Sequence, residues 1–454
     1  MAIKTKTVQL PSMTPGTHRT VSVLSFGKSG ARPKVYMQAA IHANEMPGTM
    51  ALHHLMPMLS EADKKGLIKG EIILVPTVNP IGQSQLIGNS HAGRYNFLSN
   101  ENFNRNWIDV SEPVAQKVWK KIGPNPEANV KMIRKAALEA LNEMKPANEL
   151  QTLRVEMQKL STDADYVLDL HCDIYAALHL FTAHNDWVKG PTGPLGNEGA
   201  VKALAADLGV EATMYNDPYP STLTFSGVNS ALWARLQDKF PQAHIPQACM
   251  SVTLEMRSQH DVSDALGMSD AKNLYRWLVR QGVVGGKAAP LPKMKSAASP
   301  MSGMDVGYSK GTGFLVFHVK PGAKVKKGQA ICDVIDPAQS PHHLCQPNRW
   351  HFVLTQVRWL PVLARPGDVQ NCRPQALGTP HWHVGLGRLI QKLRTLRSFH
   401  SAGFRFCPSN LICQFQHPLR AACCRWWWYG NTNWANHGLA NTACLCSAFL
   451  SRRA

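Results

Sequence analysis

The residues in this chain best placed to do chemistry are His42 and Glu45, three apart in Ile41-His42-Ala43-Asn44-Glu45. Imidazole nitrogen and carboxylate oxygen are the donors that a divalent zinc ion accepts in hydrolytic sites. Alone, an H-x-x-E spacing reads as a surface histidine and a surface glutamate. Its setting changes that reading. A β-rich apolar run over residues 35–41 ends at the pair, and Pro47-Gly48 stops the strand ahead of a helical pattern over residues 48–59. In open α/β sheets, ligand-binding groups gather where strands end at their carboxyl edge.

Two further strand patterns end in the same kind of residue. Residues 165–170 run into His171, and residues 250–254 run into Glu255. Two histidines and one glutamate fill three of zinc's four positions and leave the fourth for water. A water held there becomes acidic, and Glu255, left unligated, is the candidate to take its proton. A long polar loop from Asn79 to about Trp107 supplies cations: Arg105 within Asn102-Phe103-Asn104-Arg105-Asn106-Trp107, and Arg94 upstream of it. Arginine grips a carboxylate as a two-pronged fork, which lysine does not copy. A second arginine near the metal polarises a carbonyl and stabilises its oxyanion.

The elements that must position these groups are legible in outline. Residues 17–27 alternate and read as an entering strand at a sheet edge, and residues 71–76 as a strand joined by a crossover to the one before His42. Helical spacing covers residues 127–160, 195–208 (stopped by Gly209) and 269–282. The expected fold is α/β over residues 1–286: a mixed, mostly parallel sheet with helices on both faces. Residues 287–303 turn to Ala, Pro, Ser, Gly and Lys and read as a linker. Residues 304–337 read as part of a small β-barrel or sandwich, with turns at Pro321-Gly322 and Lys327-Gly328.

Taken in order, I-H-A-N-E, G-R-Y-N-F, N-F-N-R-N-W, L-D-L-H-C-D and T-L-E-M-R resemble the succinylglutamate desuccinylase/aspartoacylase family, within the carboxypeptidase A-like zinc hydrolases. The resemblance covers roughly residues 20–336. It implies a zinc-carboxypeptidase-like fold and one zinc ion per chain, held by His42, Glu45 and His171. It implies Asn104 and Arg105 for a substrate carboxylate, Arg94 for the carbonyl and Glu255 as general base. The implied reaction is hydrolysis of the amide bond in an N-acyl amino acid or similar small carboxylate-bearing substrate. A metallocarboxypeptidase, with Arg105 on a peptide's C-terminus, is the alternative enzyme. The small β-module is similar in pattern to biotinyl and lipoyl domains, but Lys295 precedes it in the linker, so no carrier lysine is expected.

Other candidates have plainer readings. His53 and His54 read as surface or core fillers, and His179, His184 and His260 as structural. Cys172 points away from the face that His171 presents. Arg257, two residues after Glu255, shares its side of a strand, and a substrate contact there is open.

Of the net charge of +19, +7 falls on residues 1–336 and +12 on residues 337–454. The last segment also holds seven of the twelve Trp, eight of the eleven Cys and one acidic residue, Asp368. Three scattered Cys in the first part fit a reducing compartment. With no apolar leader pattern and no apolar run of about 18 residues, the expected setting is cytoplasmic, with no membrane partner. A homo-oligomer is left open. Arginine with aromatics in the tail matches a nucleic-acid surface, the reading from another class, yet nucleic acid is not the expected partner. The preferred reading is a shifted reading frame near residues 337–345. Lys:Arg ratio, acidic content, Trp and Cys all change there together, and an in-frame resequencing of the coding DNA would remove that reading.

Overall fold

The computed structural model describes residues 4–187, 189–190, 193–194, 196–216, 223–305, 313–326, 328–337 and 342–344. The chain opens with β1 (Lys4–Gln9), β2 (Thr20–Gly27) and β3 (Lys34–Ala39), then α1 (Pro47–Lys64) and β4 (Glu71–Val75). The long loop carries a single turn, α2 (Pro80–Gln83), and two short strands, β5 (Leu86–Ile87) and β6 (Ser90–His91). Three helices follow: α3 (Ser111–Val118), α4 (Pro126–Asn142) and α5 (Glu149–Ser161). Next come β7 (Tyr166–Asp173), β8 (His179–Thr182), β9 (Lys189–Gly190), β10 (Gly193–Pro194), α6 (Glu198–Leu208), β11 (Ala212–Tyr215) and α7 (Phe225–Lys239). β12 (Met250–Ser258), α8 (Asp264–Arg280) and β13 (Ala298–Pro300) complete the body, and β14 (Phe314–Phe317), β15 (Cys332–Ile335) and β16 (His342–Leu344) form the small module.

Nine strands form one mixed sheet in the order β1-β2-β4-β3-β7-β12-β8-β11-β13. The pairs from β4 through β3 and β7 to β12 are parallel, as are β8–β11 and β11–β13; the other three pairs are antiparallel. Side chains alternate faces along a strand. Tyr36, Ile73, Val75 and Val167 therefore meet α3, α4, α5 and α7 on one side. Val35, Met37, Leu168, Leu170 and Val252 meet α1, α6 and α8 on the other. Helices cover both faces, as the residue pattern implies. Gly48 lets the first turn of α1 lie against β7; a Cβ there would stand 2.7 Å from the Leu170 Cβ.

Several boundaries differ from the sequence reading. β2 is interior, not an edge; the edge is β1, whose Lys4-Thr5-Lys6-Thr7 carries too little apolar pattern to announce a strand. Lysines on an edge strand guard it against further pairing. The end of the expected linker is the ninth strand, since β13 pairs in parallel with β11. That pairing uses backbone groups alone, so composition does not reveal it. β8, β11 and α7 also lay outside the reading: the first two are four residues long, and α7 is buried on nearly every side and lacks an amphipathic stripe.

The small module is a three-stranded antiparallel sheet in the order β14-β15-β16. Its third strand lies at residues 342–344, beyond the expected limit at 337. Closure of this sheet into a barrel, and the tail with its reading-frame question, lie outside the described residues. Among those that are described, no helix is long and apolar enough to cross a membrane.

Candidate active site

The site is built where β3, β7 and β12 lie side by side. After β3, Ala40 takes a left-handed backbone conformation (φ 60°), unusual for a residue with a Cβ, and turns the chain out of the sheet. Glu45 N–H then donates to the His42 carbonyl at 2.9 Å, closing a turn that folds the Glu45 carboxylate back onto its own histidine. His42 Nδ1 lies 2.9 Å from Glu45 Oε1, and His171 Nδ1, from β7, lies 2.8 Å from Glu45 Oε2. All three side chains are buried, and their donor atoms lie within 4.8 Å of one another.

Each imidazole is also held from behind. His42 Nε2 lies 2.8 Å from Asn102 Oδ1, whose oxygen is identified because it also accepts from the Asn104 N–H at 2.9 Å. His171 Nε2 lies 2.8 Å from Asp169 Oδ2. Asp169 Oδ1 accepts from Gln38, and Gln38 in turn accepts from the Tyr36 hydroxyl. Both rings thus face oxygen acceptors at both nitrogens. Without a cation between them, each acceptor would call for a proton, and so for two buried imidazolium ions. A cation in place of the inner protons, with the outer N–H groups still donating, satisfies every partner. The donor set therefore fits a divalent metal.

The charges respond to this crowding. Burial and Arg94 work against a charged His42, so its pKa falls despite Glu45. Burial also opposes charge on His171, but Asp169 and Glu45 together overcome it and raise the pKa well above the usual value. Glu45 is held far below the usual carboxylate range: burial opposes ionisation, and the two histidines outweigh it.

Glu255 lies in β12 with His171 directly across from it on β7 and His179 across from it on β8. Directly opposed residues share a face of the sheet. Its Oε2 is enclosed and has no hydrogen-bond partner among the described residues. Burial, with Asp173 second, pushes its pKa well above the ordinary value. His179 is fully buried; its Nδ1–H donates to the Ala177 carbonyl at 2.8 Å, and its Nε2 lies 3.6 Å from Asp173 Oδ2. Sequence reading had set it aside as structural, yet the sheet seats it beside Glu255.

The remaining candidates fall into two groups. Arg94 reaches the site, but its guanidinium rests on Glu45 Oε1 at 3.0 Å. Arg105 is half-buried and donates to the Asn104 carbonyl at 2.8 Å. Asn104 is buried behind His171 with its amide engaged: Oδ1 accepts from Trp107 Nε1 and the Phe225 N–H, and Nδ2 lies 3.0 Å from His171 Nε2. Its Oδ1 is thus fully engaged, and any contact with a substrate carboxylate falls to Nδ2, which also donates to Asp169 Oδ2 at 3.3 Å. Arg257 turns away as well. A bulge breaks the β12 register after Glu255, Arg257 adopts φ 67°, and its guanidinium pairs with Asp270. His54 pairs with Asp264 at the start of α8, and Cys172 keeps its thiol buried while its N–H donates to Glu45 at 3.3 Å.

Sequence reasoning missed the supports Asp169, Asn102 and Gln38. One signal was available: Asp169 sits two before His171 on a strand, so both side chains leave the same face.

Sheet order and donor cluster together define a class: an α/β protein with a candidate metal centre at the carboxyl edge of its parallel strands. The model of the succinylglutamate desuccinylase/aspartoacylase catalytic domain matches residues 31–266. The chain belongs to the succinylglutamate desuccinylase/aspartoacylase family of hydrolases. Among solved structures it is similar to a candidate succinylglutamate desuccinylase/aspartoacylase from Shewanella frigidimarina, with 20% identity and a TM-score of 0.64 over 78% of this chain and 95% of the other. A candidate family protein from Shewanella amazonensis gives 20% identity and a TM-score of 0.63 over 76% and 92%. At these identities the likeness shows a shared fold. No curated protein matches the chain.

Proposed function

We propose that the chain is a zinc-dependent amidohydrolase that removes the acyl group from an N-acyl amino acid or a similar small substrate bearing a carboxylate. The observation that carries this reading is the convergence of His42 Nδ1, His171 Nδ1 and the Glu45 carboxylate, with Glu255 on the adjoining strand. His42, Glu45 and His171 would hold the ion, one per chain. When bound, zinc supplies Lewis-acid polarisation and an acidified water.

The chain's own groups do the rest. Glu255, whose pKa burial raises above that of an ordinary glutamate, accepts a proton from the attacking water and later hands it to the leaving amine. Arg94, whose guanidinium rests on Glu45 Oε1, turns to the developing oxyanion. Arg105 takes the substrate carboxylate. Asn104, whose Nδ2 donates one hydrogen to Asp169 Oδ2, offers the other to that substrate carboxylate. Residues 1–286 form the catalytic domain in this reading; residues 287–303 add β13 to the edge of its sheet and lead to the module that begins near 304, and the setting is cytoplasmic.

Elemental analysis of the purified chain tests the metal directly. About one zinc per chain is expected, and loss of that zinc in His42→Ala; a folded parent without stoichiometric metal sinks the proposal. Asp169→Asn is expected to weaken zinc affinity roughly 10- to 100-fold, because the outer partner of a ligand histidine fixes its tautomer and basicity. Competition with a chelator measures that loss.

A further inference from the structure

We propose that the apolar tip of the active-site loop binds an apolar acyl chain, so that the preferred substrates carry medium-length hydrocarbon acyl groups. This rests on the deacylase reading above. Large apolar side chains are unusually exposed there: Leu98 at 75%, Leu86 at 64%, Ile87 at 63%, Phe97 at 53% and Tyr95 at 41%. Single exposed apolar residues need no explanation, but five on one loop beside a candidate catalytic centre point to a binding surface.

The cluster is preformed. Gln85 ties its strands together, donating through Nε2 to the Ala92 and Tyr95 carbonyls at 3.0 and 2.6 Å and accepting from the Phe97 N–H at 3.0 Å. It is also continuous with the metal centre. Ala43 N–H donates to the Gly93 carbonyl at 2.9 Å, Gln83 donates to the Ala43 carbonyl at 2.8 Å, and Arg94 and Asn102 reach Glu45 and His42. Tyr95 and Asn102 form an antiparallel bridge, so their side chains leave the ribbon on one face. Asn102 uses that face to meet His42; Tyr95 therefore stands on the metal side and leads outward to Phe97 and Leu98. Arg105 takes the carboxylate end of the substrate in this reading, which leaves the acyl end for the apolar tip.

The test is calorimetric binding to zinc-loaded Glu255→Gln protein, in which ligand is not consumed. The probes are N-acetylglycine, N-octanoylglycine and N-acetylphenylalanine. Each CH2 removed from water is worth about fourfold in affinity, so N-octanoylglycine is expected to bind at least roughly tenfold tighter than N-acetylglycine. Phe97→Ser/Leu98→Ser, made in the same background, should remove that advantage, bringing N-octanoylglycine down to the affinity of N-acetylglycine. Equal binding of the two glycine ligands, or an advantage that survives the double substitution, overturns the proposal. So does a gain confined to N-acetylphenylalanine, which would assign the patch to the amino-acid side chain. Sedimentation showing a dimer that the double substitution splits, with ligand preference intact, would instead give the patch to a second copy. A chain that binds these ligands with the expected preference but hydrolyses none of them fails as a deacylase and not in this inference.

Discussion

Glu255→Gln is expected to lower kcat/KM by a factor of roughly 10² to 10⁴, the usual worth of a positioned general base, while zinc content stays at the parent level. The replacement keeps the shape of the side chain and removes its capacity to accept a proton. Glu255 is no part of the His42–Glu45–His171 cluster, and its Oε2 engages no other described residue, so the replacement breaks no bond of that oxygen among them. The pH profile carries a second signature. Burial raises the Glu255 pKa, so the base is protonated, and activity low, up to a higher pH than an exposed glutamate would allow. Activity in the parent should rise with pH through that raised value, and the rising limb should disappear from the residual rate of Glu255→Gln. Loss of zinc alongside activity, or a residual rate that keeps the limb, would place Glu255 among the ligands or outside the chemistry.

Asp186→Asn is expected to stabilise the folded chain at pH 8 by a few kcal/mol and to have little effect near pH 4. Asp186 is buried shortly before β9; Oδ1 accepts from the Asn197 backbone and side chain, and Oδ2 is enclosed without a partner among the described residues. Burial, the largest influence, pushes its pKa up to about 7. An acid with a folded pKa above its unfolded value, near 4, binds its proton more tightly when folded. Its favourable contribution is full below pH 4, falls as pH rises from 4 to 7, and stays lost above 7. Three pH units at 1.36 kcal/mol each set an upper bound of about 4 kcal/mol. Asparagine avoids that loss because it does not ionise. Denaturant unfolding of parent and variant at pH 5 and pH 8 measures the difference, which should widen at the higher pH; a gap independent of pH would mean that Asp186 is ionised in the fold.

The legible part of this chain was the part written in periodicity. β3, β7 and β12 are apolar runs that lead into chemically distinctive residues, and that pattern points to His42, Glu45, His171 and Glu255 from sequence alone. The illegible part was written in backbone pairing and cross-strand registry. β13 joins the sheet without an apolar pattern, and β1 is mostly Lys and Thr. Nothing local to His179 says that β8 will run antiparallel to β12 and set it opposite Glu255. For Asn104 the family resemblance implies a substrate contact, and the sequence around it says nothing of what holds the side chain. Its actual surroundings depend on Trp107 and on Phe225, 121 residues away. The bulge after Glu255 redirected Arg257 in a way that strict alternation along a strand cannot foresee.

The three strands that meet at the centre are neighbours in the sheet yet bring together residues 42, 171 and 255. Contacts between such distant segments form late and slowly, because loop-closure entropy must be overcome before the pairing offsets it. No fragment short of β12 contains the cluster together with its base. In a nascent or partly folded chain the two histidines are separate, weak ligands, and tight metal uptake awaits the parallel registry of β3, β7 and β12. For the proposed zinc enzyme, metal retention would therefore be a readout of complete folding, and a refolding time course followed by a zinc-sensitive dye should lag behind the recovery of helix.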